Sequence, residues 1–325
     1  MDTPAFLDRE RPDVPDIVVP GGVTPFHLAH RPVRGRLVRP GRVADAILKR
    51  HDHAPAVSAL GGKALALVAG LSSALKFQGS FSLQIKGDGP VSLLLADCTD
   101  TGALRFYARQ DQEKLDALLA SGKPVTDRDL IGDGYLALTV DQGPEMDRHQ
   151  GIVEITGDSL ADMAMHYFQT SEQHACWTML TAQQTDAGWR AGALILERIA
   201  GGGGTEAGSS SENLAIVDEQ GEDAWDTALA LAHTLTDAEL LDDALPAGQL
   251  LYRLFHEEDL VVGQSRVLAY GCRCSKAKLS DVLSRFSDDD LDHMVEDGNI
   301  RMTCEFCNHD FCFTRNEVGA LSGAD

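Results

Sequence analysis

Four of the seven cysteines fall in two close pairs, Cys272-Arg273-Cys274 and Cys304-Glu305-Phe306-Cys307, with 29 residues between them. Two pairs of thiols at turn spacing, joined by a foldable stretch, meet the needs of a tetrahedral four-cysteine zinc site. Each pair supplies two sulfurs from one turn, and the intervening chain folds back to unite them. The second pair has zinc-knuckle spacing, whereas the first is tighter than the common Cys-x2-Cys. The bland alternative is four thiols packed as small hydrophobes. A chain this poor in cysteine rarely clusters them at ligand spacing by chance. We therefore expect one Zn2+ per chain, held by Cys272, Cys274, Cys304 and Cys307. Four sulfur ligands leave no open position for water, which argues against a zinc hydrolase.

The stretch between the pairs reads as a small metal-nucleated module. Leu279, Val282, Leu283 and Phe286 follow the i, i+3, i+4, i+7 spacing of one helix face. Ser287 is placed as an N-cap, with Asp288, Asp289 and Asp290 in the first turn, where carboxylates complement the helix dipole. Leu291, Met294 and Val295 form the apolar side of that second helix. Asp297-Gly298 signals a turn, and Ile300 to Thr303 a short strand leading into the knuckle. So few apolar residues make a thin core, so metal should supply the missing stability.

The formal net charge is −22, and it is unevenly spread. Residues 205–325 carry 25 acidic and 8 basic side chains, and no Lys or Arg occurs between Arg198 and Arg253. A charge run usually marks a solvated surface. It also makes this zinc module a poor partner for nucleic acid, whose phosphates need Lys and Arg. No apolar run is expected to reach membrane-spanning length and the N-terminus lacks a signal-peptide stretch, so neither membrane nor secretion is expected. Reduced, metal-bound thiols suit the cytoplasm.

Pattern shifts divide the chain. Residues 1–24 read as a loose arm and 25–200 as a large core domain. Residues 201–213 form a Gly/Ser-rich flexible insertion, 214–268 a helical acidic linker, and 269–325 the zinc-binding module. In the core, Ala56 to Leu75 is a long helix. Phe81, Leu83 and Ile85 alternate as a half-buried strand, and Gly87-Asp88-Gly89-Pro90 turns the chain into Val91–Cys98. Further strands are expected at Gly134–Val140, Gly151–Ile155 and Ala193–Ile199. Leu160, Met163, Ala164, Tyr167 and Phe168 mark an amphipathic helix. Strands and helices do not alternate strictly, so the fold class is α+β. The linker offers a helix near Glu222–Leu235, a capping box at Thr236-x-x-Glu239, and a helix from Gln249 to Phe255. Helices this short are marginal alone and need a surface to pack on.

Other features read as structural. Gly61-Gly62-Lys63 lies inside a helical pattern and lacks the full phosphate-loop signature, so no nucleotide is expected. Gly87-Asp88-Gly89 is a hairpin turn, not a dinucleotide fingerprint. Cys98 and Cys176 sit in apolar surroundings as core residues, and Cys312 in Phe311-Cys312-Phe313 is expected to pack. His309 beside the knuckle is assigned a supporting or surface role. No catalytic residue is identified.

Several blocks together resemble the bacterial redox-regulated holdases of the thirty-three-kilodalton heat-shock family. They are Leu75-Lys76-Phe77-Gln78-Gly79, Gln84 to Pro90, Gln150-Gly151-Ile152-Val153, Tyr167 to Gln173, Leu254-Phe255-His256-Glu257-Glu258-Asp259, the Cys-x-Cys pair and Thr303-Cys304-Glu305-Phe306-Cys307. The departures are Arg273 where a small residue is usual, the extra Cys312, the extended N-terminus and the Gly-rich insertion. The resemblance implies a non-enzymatic, ATP-independent chaperone that is off when reduced and zinc-bound and on when oxidised. Its implied disulfides join Cys272 with Cys274 and Cys304 with Cys307. A Cys-x-Cys bridge has Cα atoms near the ~6.8 Å upper limit, so it should be strained and readily reduced. Unfolded client proteins are the expected partners, with a homodimer in the oxidised form. Two rival classes are a thiol-disulfide oxidoreductase using Cys304-x-x-Cys307 and a zinc-ribbon nucleic-acid binder. Two thiol pairs at zinc spacing disfavour the first and the acidic tail the second.

Overall fold

The computed structural model describes residues 15–75, 77–143, 146, 148–199, 211–315 and 317–318. In chain order the large domain runs through β1 (Val18–Leu28), β2 (Val33–Val38), α1 (Arg42–Leu48), α2 (Pro55–Ser72), β3 (Ser80–Gly87), β4 (Val91–Thr99) and β5 (Ala103–Gln110). It continues with α3 (Gln112–Leu119), α4 (Asp127–Ile131), β6 (Gly134–Asp141), β7 (His149–Glu154), α5 (Leu160–Tyr167), a π turn at Phe168–Glu172, β8 (Cys176–Thr185) and β9 (Gly188–Arg198). Then come α6 (Ser211–Ala232), α7 (Asp237–Leu241), α8 (Ala247–Phe255), β10 (Leu260–Val262) and β11 (Arg266–Tyr270). The cysteine module holds α9 (Lys276–Leu283), α10 (Asp288–His293), β12 (Val295–Glu296), β13 (Asn299–Thr303) and β14 (Asp310–Thr314). The architecture is α+β.

One large sheet carries the domain in the order β7-β6-β3-β4-β5-β11-β1-β2-β9-β8, with β10 pairing β1. Helix α2 lies against one face. Val57, Leu60, Leu65, Leu67, Val68 and Leu71 on it are all buried, so its apolar character extends around the helix. By length and composition α2 could cross a membrane, contrary to the sequence reading that no run is long enough; yet 78% of it is buried inside the protein, as a core helix. Its glycines allow close approach to the sheet. A Cβ at Gly61 would lie 2.5 Å from the Phe106 ring, and one at Gly62 2.6 Å from Ala182. The neighbouring Lys63 is spent on Asp127, at 2.8 Å.

The opposite face of the sheet is covered by α6, α7 and α8. Ala228, Ala232, Leu235, Leu240, Leu250, Leu251, Leu254 and Phe255 pack there on Phe26, Leu28, Val33, Leu37, Leu194 and Leu196. Phe255 stacks on Phe26 with ring centroids 5.3 Å apart. Gly35 leaves room for this contact, since a Cβ there would fall 2.3 Å from the Phe26 ring. The capping box at the start of α7 forms, with the Thr236 hydroxyl accepting from the Glu239 amide and the Glu239 carboxylate accepting in return.

Three expectations need correction. The segment read as a loose arm, 1–24, contributes strand from Val18 onward, because β11, far away in sequence, supplies its partner. The segment read as a helical linker, 214–268, begins as helix at Ser211 but ends as strands: β11 enters the large sheet between β1 and β5, antiparallel to one and parallel to the other. In the module, α9 stops at Leu283, so the expected face out to Phe286 does not form. Leu283 is buried, whereas Val282 and Phe286 are exposed. Most of the expected Gly/Ser-rich insertion, up to Ser210, lies outside the described residues.

Candidate metal centre

Strand β11 delivers the first cysteine pair. Its last residues hydrogen-bond to both neighbours: the Tyr270 amide donates to Ile17 at 3.1 Å and the Gly271 amide to Leu104 at 2.8 Å. Glycine is needed at 271 because a Cβ would lie 2.6–2.7 Å from Ala103 and Leu104. Cys272-Arg273-Cys274 follows, and Ser275 then caps α9 by accepting from the Lys278 amide. The second pair sits on the turn between β13 and β14, which pair in register from Asn299–Thr314 to Thr303–Asp310. The Asn308 amide donates to Cys304 at 2.8 Å and the Cys304 amide to His309 at 2.9 Å, with Asn308 in the left-handed region (φ 55°). This knuckle points both sulfurs inward.

The four predicted ligand sulfurs are brought together, all within 4.8 Å of one another. Sγ–Sγ separations are 3.4 Å for Cys272–Cys274, 3.7 Å for Cys272–Cys304 and 3.5 Å for Cys274–Cys307. A tetrahedron with ~2.3 Å metal–sulfur bonds has edges of about 3.8 Å, so the donor set fits zinc in number, kind and spacing. Cys272, Cys304 and Cys307 are buried and Cys274 half-buried. Hydrogen bonding from Cys274 lowers Cys272 to about 7, and contact with Cys272 lowers Cys304 as well. Cys274 and Cys307 are pushed up, chiefly by their contacts with Cys272. Four thiolates this close repel, and a dication is the natural counter-charge.

Both cysteine pairs are fastened to the large domain by the residues between them. Arg273 reaches Asp97 on β4, whose side chain is almost fully buried. Asp97 also holds Arg105 on β5, at 3.2 Å. The Arg105 guanidinium lies 4.0 Å from the centre of the Phe306 ring, a cation–π contact. The Phe306 carbonyl contacts His51 Nε2 at 3.2 Å, and its ring meets Tyr107 edge-on at 6.4 Å. Burial lowers the His51 pKa, so the imidazole favours its neutral form.

Sequence reasoning missed Asp97, Arg105 and His51. Their only signal was the unusual arginine between two cysteines, which says nothing about where its partner lies. Cys98 is buried and Cys176 packs against the core. Cys312 corrects an expectation: it is exposed on β14, while Phe311 and Phe313 on either side turn inward. His309 packs edge-on against Phe311, centroids 4.7 Å apart, and its backbone carbonyl supports the knuckle.

The Hsp33 protein family model matches residues 22–314. The chain belongs to the Hsp33 family. Among Hsp33 relatives, the 33 kDa chaperonin of Caulobacter vibrioides is 38% identical over 291 residues, covering 88% of this chain and 92% of its own. The 33 kDa chaperonin of Photorhabdus laumondii is 31% identical, covering 89% and 91%. The crystal structure of the Hsp33 homologue from Thermotoga maritima superposes with a TM-score of 0.73 at 19% identity, covering 93% of this chain and 98% of that one. That likeness speaks for the shared fold.

Proposed function

We propose that this chain is a redox-regulated, ATP-independent holdase, a non-enzymatic chaperone that captures unfolding proteins in the cytoplasm under oxidative stress. The family membership supports the chaperone role, and one structural relationship supports the switch. The strand that ends at the first cysteine pair is also a strand of the large sheet, and the helices preceding it cover a broad apolar face. The state of the four sulfurs is therefore tied through β11 to the cover.

A zinc ion held by Cys272, Cys274, Cys304 and Cys307 would contribute on the order of 10–16 kcal/mol to a small structural site. The module alone, at roughly 0.05–0.15 kcal/mol per residue, has only a few kcal/mol of its own. Oxidation of Cys272 with Cys274, and of Cys304 with Cys307, turns four ligands into two disulfides and removes that support. β11 then loses its C-terminal anchor, and the marginal helices α6–α8 lose theirs. The uncovered face, Phe26, Leu28, Val33, Leu37, Leu194 and Leu196, binds clients through apolar contact. The acidic linker keeps the complex in solution. The oxidised form pairs with a second copy. Nucleotide, nucleic acid and membrane have no part in the cycle.

The test is aggregation of a thermally unfolding model client, followed before and after peroxide while released zinc is titrated with a chromogenic chelator. Suppression should appear only after peroxide and in step with the metal. Full suppression by the reduced, metal-replete protein would overturn the proposal.

A further inference from the structure

The face that the linker covers is bounded by arginines at both ends. Pairing of Val33 with Arg198 and of Val38 with Ala193 sets β2 against β9. Side chains alternate along each strand, so Val33, Gly35 and Leu37 share their face with Arg190, Gly192, Leu194, Leu196 and Arg198. Arg190 lies at one end of this apolar strip and Arg198 at the other. Arg39, just beyond β2, joins Arg190; Arg31, in the β1–β2 turn, joins Arg198.

In the covered state every one of these cations is met by the linker. Arg39 donates to the Glu239 carbonyl at 2.6 Å and the Leu240 carbonyl at 2.8 Å, in the last turn of α7, and to the Leu245 carbonyl in the connection to α8. Arg190 pairs with Asp243 at 2.6 Å. At the far end Arg31 pairs with Glu258 at 3.0 Å and Arg198 with Glu222 at 3.8 Å. Between Asp243 and Glu258 runs α8, whose Leu250, Leu251, Leu254 and Phe255 fill the strip. The linker thus presents an amphipathic helix flanked by carboxylates to an apolar strip flanked by guanidiniums.

We propose that the client class of this face is the one its cover imitates: amphipathic segments with an apolar helical side and acidic residues at both ends. This rests on the holdase reading above. Such a segment exchanges for the linker contact by contact, whereas lysine-flanked segments meet four like charges at the rim. Undocking removes the linker's carbonyls and carboxylates from Arg31, Arg39, Arg190 and Arg198 and turns their charges toward the incoming chain, which sets a charge preference that weakens with salt.

The experiment uses two fluorescein-labelled helical peptides of about 18 residues, long enough to span ~25 Å. They share one apolar face and differ in carrying Asp pairs or Lys pairs at the ends. Each is titrated by anisotropy into the full-length chain, both after peroxide and in a reduced linker-opened variant, Leu251→Ser with Phe255→Ser. We expect the Asp peptide to bind about tenfold tighter at low salt, the gap narrowing to about threefold at 0.5 M. Adding Arg31→Gln and Arg39→Gln should abolish most of the gap. Equal or tighter binding of the Lys peptide overturns the inference, as does binding of neither peptide by the opened variant or a preference indifferent to the two arginines. If the opened variant selects the Asp peptide while the peroxide-treated parent binds neither, the redox switch fails and the charge preference stands. If the variant does not fold, the peroxide-treated parent alone decides between the two peptides.

Discussion

Arg273, the single residue between Cys272 and Cys274, forms an ion pair with Asp97, a buried carboxylate on β4 that also holds Arg105. The latch joins the four-cysteine cluster to the sheet at the end of β11. Removing it should loosen β11 without removing a sulfur. A charge-assisted bond is worth about 1.5–3 kcal/mol, and the partial exposure of Arg273 brings this to roughly 1–2 kcal/mol. In Arg273→Ala, exchange of the Tyr270 and Gly271 amides should therefore accelerate about 5–30-fold. Bound metal should stay at the parental level. Unchanged exchange would mean that the latch carries no load.

The ligand set makes a stoichiometric prediction. Changing Cys272, Cys274, Cys304 and Cys307 to Ser should reduce zinc per chain from one to near zero. A Cys98→Ser, Cys176→Ser variant should keep one, since Cys98 is buried in the core, Cys176 packs against it, and neither sulfur belongs to the four-sulfur group. A requirement for the second pair would overturn the assignment. In the reduced, metal-loaded protein the exposed Cys312 should be the first thiol alkylated by iodoacetamide.

Cys98 carries a pH signature. Burial pushes its thiol up to about 11 from an ordinary 9.0. The folded state therefore holds a proton that the unfolded chain gives up sooner. This contribution is complete below pH 9 and is lost as pH rises through 11. Two pKa units correspond to about 2–3 kcal/mol. Urea denaturation of the parent and of Cys98→Val should show their stability difference shifting by that amount against the parent between pH 8.5 and ~11.5. A flat difference would contradict it.

The cover should open without oxidant when its helix is broken. Ala230 lies in α6 between Ala228 and Ala232, which pack on the sheet face. Pro at this position removes a helical hydrogen bond and clashes with the preceding turn, at ~3 kcal/mol. Ala230 itself is exposed, so the loss comes from the backbone. The reduced Ala230→Pro protein should suppress client aggregation while all four cysteines still hold metal. Parental inactivity with the helix demonstrably lost would place the switch in the module alone.

The elements most legible in the sequence were those whose partners are local. Phe81, Leu83 and Ile85 alternate into the core because β3 pairs with β4 through a tight turn. The Thr236 capping box and the knuckle are likewise set within a few residues. β2 was missed because Arg34 and Arg36 interrupt its pattern; they face Glu197, a buried carboxylate that both arginines hold. β11 was split between the helical linker, ending at 268, and the zinc module, beginning at 269, because nothing within Arg266–Tyr270 reveals that β1 and β5, more than a hundred residues away, frame it. The four sulfurs could be read from spacing, but their attachment through Asp97 and Arg105 could not. Those contacts are long-range pairs between single side chains, with no periodicity to announce them.

Activation by unfolding is the central claim, and hydrogen exchange read by mass spectrometry alongside holdase activity tests it most directly. After peroxide with mild heat, α6–α8, β11 and the cysteine module should lose protection. The strands β3–β6 and helix α2 should retain theirs, and activity should rise in step with the loss. Full activity with undiminished protection from Ser211 to Thr314 would contradict the account.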